Sequence, residues 1–160
     1  VHATLSKDGI FPKTDRYDRD FLVKNDDKKY KVTHLNDICY NPSNLKFGVI
    51  TRNTYGDCII SPIYVTFKIK NNYLPEFIEL LVARKHFISK ARKYEQGTVY
   101  ERMAVHPSDL LSMNILIPSL TIQKRIANII NTIDIKISNE QKLLNLYIAQ
   151  KGYLLKNMFI

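Results

Sequence analysis

The last forty residues restrict this chain more than anything else in it. From about Thr121 to Phe159 there is no proline and one glycine, Gly152. Apolar residues recur there at heptad-like steps: Ile126, Ile130, Ile133, Ile137, Leu144, Tyr147, Leu154 and Met158, with Glu140 and Lys151 in the two remaining steps. That spacing predicts one long helix with a narrow apolar seam. At ~1.5 Å per residue the helix is a rod of roughly 58 Å. A preceding domain of ~120 residues has a radius of gyration of only ~14 Å and cannot cover such a seam along its length. Most of the seam therefore needs a second helix, and coiled-coil pairing is implied. The alternative is a hairpin folded back at Gly152 or Asn139, which no proline or glycine-rich break supports.

The rest of the chain reads as a domain of mixed structure. The whole sequence has 160 residues, 45% hydrophobic and 24% charged, the composition of a packed core with a solvated surface. Residues 1–73 are β-rich. Tyr30 to Leu35 alternates in the strand manner, and Asp37-Ile38-Cys39-Tyr40 runs into the dense turn signal Asn41-Pro42-Ser43-Asn44. Phe47 to Thr51, Cys58 to Ile60 and Ile63 to Ile69 read as further strands, with a turn at Asn53 to Asp57. Residues 74–94 switch to helical spacing, since Leu74, Phe77, Ile78, Leu81 and Val82 make one apolar face and Pro75 sits in the first turn. A single helical turn is expected at His106 to Leu111 and a short strand at Met113 to Ile117, stopped by Pro118. The expected class is α+β, with residues 1–119 as a β-rich domain carrying a packed helix and residues 120–160 as the long helix.

Charge narrows the partners. The chain carries 24 Lys+Arg against 15 Asp+Glu, a net of +9 with a pI near 9.5. Such a surplus fits nucleic acid or an acidic membrane surface, or simply a basic soluble protein. No run of ~18 apolar residues occurs, so no transmembrane helix is expected. Residues 84–102 hold the sharpest local surplus: Arg84, Lys85, Lys90, Arg92, Lys93 and Arg102 face only Glu95 and Glu101, with Phe87, Tyr94 and Tyr100 among them. Lysines and arginines there would neutralise phosphates. Gln96, Thr98, Tyr100 and Arg102, around the Gly97 loop, would reach base edges, where Arg pairs with guanine and Gln with adenine. Lys46, Arg52 and Tyr55 form a second candidate contact set one hairpin away. The competing reading is a solvated helix end whose cations favour the helix dipole.

Catalytic motifs are missing. Cys39 and Cys58 lie in expected strands without CxxC spacing, and a reduced cytosolic protein with two buried thiols is the simplest reading. His2, His34, His86 and His106 are dispersed, with no metal-ligand spacing. No GxSxG, P-loop or HExxH is present. Asn41-Pro42-Ser43 is similar to the Asn-Pro-Pro-aromatic motif of amino methyltransferases, but Ser43 and Asn44 replace the second proline and the aromatic, so it reads as a turn. Asp26-Asp27 beside Lys28-Lys29 reads as a polar hairpin tip. No cofactor and no metal are implied. The chain lacks a start methionine and a signal peptide, and is read as a processed product or a fragment of something longer.

Two stretches carry a resemblance. Ile38-Cys39-Tyr40-Asn41-Pro42-Ser43-Asn44-Leu45-Lys46-Phe47-Gly48, followed by Ile60-Ser61-Pro62-Ile63-Tyr64-Val65-Thr66-Phe67, resembles the target-recognition domain of type I restriction–modification specificity subunits. Met113 to Leu120, leading into Gln123-Lys124-Arg125-Ile126-Ala127, resembles the start of that family's conserved spacer helix, and Tyr153 to Phe159 resembles its end. The order of these motifs is more specific than any one of them. Ile122 departs from the pattern, where the family commonly has Glu, and the family's first strand with its Trp is absent.

The resemblance implies two recognition domains held apart by two antiparallel helices, each domain reading half of a split DNA site. It also implies methyltransferase and nuclease–translocase subunits as partners, a bacterial cytoplasmic setting, and no chemistry in this subunit itself. This chain would be one half: a recognition domain and a helix that pairs with another copy or with the other half. Base-reading residues vary within the family, so the DNA-contact residues named above rest on charge and loop position alone. A protein-interaction module with a basic surface and an assembly helix is the alternative from another class. A fragment of a fused restriction–methylation enzyme is a third.

Overall fold

A computed structural model describes residues 1–13, 29–98 and 103–158. The Asp26-Asp27-Lys28 tip, Tyr100, Arg102 and Phe159 lie outside the described residues. The chain divides into two compact units, Val1–Leu120 and Thr121–Ile160.

The first unit is α+β. Strands β1 (Ala3–Ser6) and β2 (Gly9–Pro12) form an antiparallel hairpin, with Ala3 opposite Pro12. Strand β3 (Lys31–Thr33) pairs antiparallel with β6 (Cys58–Ile60). Strand β4 (Ile38–Tyr40) is central to a three-stranded antiparallel sheet, between β5 (Ile50–Arg52) and β7 (Val65–Phe67). Helices α1 (Pro75–Val82) and α2 (Lys85–Arg92) follow. A short antiparallel pair, β8 (Glu95–Gln96) and β9 (Ala104–Val105), and helix α3 (Pro107–Ser112) complete the unit.

Central β4 decides where the core sits. All three of its residues are buried. Side chains alternate across a strand, so Ile38 and Tyr40 face one way and Cys39 the other. Ile38 and Tyr40 enter a cluster with Leu45, Ile50, Val82, Phe87 and Val105. Cys39 enters a second cluster with Leu5, Ile10, Cys58 and Ile60. The Tyr40 ring stacks on Phe67 at 5.8 Å, and its hydroxyl donates to the Val105 carbonyl at 3.0 Å, which ties the sheet to the β8–β9 pair.

Polar groups on the Cys39 side are satisfied internally. Asp37 Oδ2 accepts from the His34 backbone N–H at 2.8 Å and from the Thr33 and Thr66 hydroxyls at 3.3 Å each. Asn53 caps its own turn, since Oδ1 accepts from the backbone of Tyr55 and Gly56 while Nδ2 donates to the Gly56 carbonyl. Buried polar groups without such partners would destabilise the sheet.

Three local readings are corrected. The helical region over residues 74–94 is two helices, broken at Arg84, whose ψ of 135° is extended. The apolar positions explain the break. Continuing the α1 face would bring Lys85 inward, whereas Phe87, Ile88 and Ala91 are the residues that pack, and a new start re-phases them. Phe47 belongs not to a strand but to a 3-10 helix, Pro42–Phe47, capped by Asn41 Oδ1 accepting from the Ser43 N–H and closed by Gly48 at φ 80°. Met113 to Ile117 pairs with no strand among the described residues. Met113 is buried and Ile115 packs on the core, while Leu116 is 99% exposed. The alternation is that of a chain lying on a core without a ladder.

The second unit is one helix. Helix α4 (Leu120–Met158) spans 39 residues without a break, and Gly152 and Asn139 lie inside it. Its seam residues stand open: Ile133 is 48% exposed, Ile137 61%, Leu144 51%, Tyr147 58% and Leu154 45%. Among the described residues no helix is long and apolar enough to cross a membrane.

Candidate nucleic-acid interface

Helix α2 concentrates the charge. Its inner face is Phe87, Ile88 and Ala91. At ~100° per residue, Lys85, His86, Ser89 and Lys93 fall on the opposite side, with Lys90 and Arg92 flanking them. Arg84, Lys85 and Lys93 are exposed and enter no ion pair among the described residues. One carboxylate and one carbonyl occupy two other cations of the surplus. Arg92 Nε lies 3.5 Å from Glu95 Oε1, and Lys90 Nζ donates to the Asn114 carbonyl at 2.6 Å.

The 3-10 helix packs beside α2 and brings Lys46 to the same neighbourhood. Lys46 Nζ stands 5.2 Å from the centroid of the Phe47 ring, and Phe47 is 66% exposed. An exposed aromatic next to a cation suits stacking on bases or sugars as well as phosphate contact. By its sequence neighbours alone Phe47 reads as a strand residue. The signal that would have found it is the Asn-Pro start of a short helix, which turns the third residue after Asn44 outward.

The other expected contact residues fare differently. Arg52 is claimed by the fold. It donates from Nε to Glu79 at 2.9 Å, and from Nη1 to Glu76 at 3.2 Å and to Asn36 at 2.7 Å, with its side chain 16% exposed. Three of its five N–H donors are so engaged, and Arg52 ties β5 to α1. Gln96 is exposed and donates its amide to Asp109 Oδ2 at 2.9 Å, which holds the β8 end against α3. Tyr55 is exposed on the Asn53–Asp57 turn between β5 and β6. Thr98 is exposed beyond β8. The structure thus joins Lys46, Lys90, Arg92 and Lys93 through α2 and the 3-10 helix, and sets Arg52 apart from them.

Neither thiol is a reactive centre. Cys39 and Cys58 are free and buried. Burial pushes both up from their ordinary value near 9.0, so they stay protonated at neutral pH. Burial, with Asp109 adding to it, also raises the Tyr40 phenol. Among the described residues no group of three or more His, Cys, Asp or Glu is placed to hold a metal.

No family model and no curated protein match the sequence. A solved structure does match: the HsdS subunit from Thermoanaerobacter tengcongensis superposes with a TM-score of 0.60 at 21% identity, over 78% of this chain. The fold is HsdS-like. HsdS is the specificity subunit of type I restriction–modification systems, the same kind of protein that the Tyr-Asn-Pro and Ser-Pro-x-Tyr stretches resemble. The chain spans 32% of the length of that HsdS subunit. The HsdS-like fold accounts for the α+β architecture with a long C-terminal helix.

Proposed function

We propose that this chain is half of a type I restriction–modification specificity subunit: one recognition domain that reads half of a split DNA site, and a spacer helix that joins it to its counterpart. The observation that carries the reading is the combination, in one HsdS-like fold, of a basic helix face on the domain and a 39-residue helix with an open apolar seam. Helix α2 would lie along or within the major groove, which is wide enough for it. Arg92, Lys93, Lys90, Lys85 and Lys46 would contact phosphates, and Gln96, Thr98 and Phe47, with Tyr55 as an outlying contact, would approach sugars and base edges. Methyltransferase and nuclease–translocase subunits would dock on the assembled pair in the cytoplasm and supply the chemistry, and this chain would need no cofactor.

Fluorescence anisotropy on the native chain and on the Lys85→Ala/Arg92→Ala/Lys93→Ala variant tests the contact surface. Every cation withdrawn from a phosphate flattens the slope of log K against log salt by about 0.9, so the triple variant loses up to ~2.7 units of slope. An unchanged slope places the interface elsewhere. Methylome sequencing of cells carrying the full system reports the half-site directly.

A further inference from the structure

We propose that the antiparallel pairing of α4 with a second copy, which the family resemblance implies, is held in one register by Glu140 of each copy facing Lys151 of the other. The proposal rests on the reading of α4 as a spacer helix and adds its alignment.

Seam positions along α4 alternate steps of four and three residues, and Glu140 and Lys151 are the two that are charged. Both are exposed, like the apolar seam around them. A two-fold axis between Asn145 and Leu146 lays the seam on itself. Leu144 then faces the partner's Tyr147, Ile137 faces Leu154, Ile133 faces Met158, and Glu140 faces Lys151. Opposite charges meet twice, and every other seam position in the overlap meets an apolar one.

The surface of α4 has a shallow depression where this alignment needs it. It is lined by Ile133, Lys136, Ile137, Glu140, Gln141 and Leu144. Those residues make two successive four-residue holes of the kind that a facing helix's side chains enter. The partner's Leu154 and Lys151 stand over them in the proposed register.

Competing alignments lose the match. Parallel, in-register pairing sets Glu140 against Glu140 and Lys151 against Lys151. Sliding the antiparallel pair by one heptad lengthens the overlap, but it sets Lys151 against Ile133 and Glu140 against Leu144. Four charged side chains then enter an apolar seam without an opposite charge, which is the situation that polar seam residues select against.

Sedimentation equilibrium of the full chain tests the lock. Glu140→Lys alone and Lys151→Glu alone each create like-charge pairs at two places, and raise the dimer Kd by roughly a hundredfold. The double variant Glu140→Lys/Lys151→Glu restores the pairs and returns Kd to within about threefold of the native chain. Independently of those variants, oxidised Ile137→Cys/Leu154→Cys chains form covalent dimers, whereas Ile137→Cys/Tyr147→Cys chains, which report the one-heptad slide, do not. The native chain, with its two buried thiols, is the control for oxidation. A double variant without recovery, or cross-linking only through position 147, overturns the register while DNA binding by the domain remains intact. A native chain that stays monomeric at high concentration overturns the choice of a second copy. Dimers that show the recovery but ignore DNA leave the register standing and sink the specificity-subunit reading instead.

Discussion

Arg52 shows what a count of charges hides. It sits one hairpin from a basic loop and invites a role at a phosphate, yet three of its N–H donors are given to Glu76, Glu79 and Asn36. Two of those partners lie 24 and 27 residues away in the chain, on a helix, so nothing near Arg52 in the sequence announces them. Lys93 is the reverse case: an ordinary lysine in a charge run that the fold leaves exposed on the outer side of α2. Arg52→Ala should therefore lower stability by ~1–2 kcal/mol, because it removes three hydrogen bonds made by a largely buried guanidinium. Urea unfolding measures that loss. The salt slope of DNA binding should not move, and a flatter slope at unchanged stability would return Arg52 to the interface. Gln96 and Lys90 lie between these extremes, each tied by one bond to a neighbouring element.

Elements were readable in proportion to their length. The 39 residues of α4 repeat their pattern often enough to favour one helix over a hairpin, and the helix is continuous as its period predicts. Short elements depend on packing that no window of sequence contains. Phe87 falls out of phase with Phe77 and Ile78, and that slip marks the break between α1 and α2 once the core is known. Met113 and Ile115 alternate like a strand, but pairing is a property of two segments, and none stands beside them among the described residues. The Asn41 turn was visible, whereas the outward aim of Phe47 depended on the 3-10 helix that Asn41 starts. Substitution tests the helix as an element. Ile133→Lys with Ile137→Lys should leave α4 helical and the domain folded, and shift sedimentation from dimer to monomer. Ile126→Lys with Ile130→Lys, which fall outside the proposed overlap, should weaken association far less. A dimer that survives the first pair of changes contradicts the role given to the seam.

At the scale of the molecule, a likeness of 21% identity and a TM-score of 0.60 ties the arrangement of strands and helices to HsdS more firmly than any single motif does. The candidate interface is where the sequence was least informative. Its charge run drew attention to residues 84–102, but which cations are spent inside the domain is settled only by three-dimensional packing. Helix α4 is continuous, so its residue count converts into axial length at ~1.5 Å each. Inserting a second copy of residues 126–132 after Thr132 keeps the seam in phase and, in a two-fold pair, moves the domains apart by roughly 21 Å, or about six base pairs. That is more than half a turn of duplex. The lengthened protein should hold its original split site no better than a single half-site, losing ~100-fold or more of avidity, while half-site affinity stays the same. Competition binding with whole and half sites measures both. On this view a stretch of protein that touches no base still edits the genomic address book: change the tally of heptads, and the same two words are sought at a different separation.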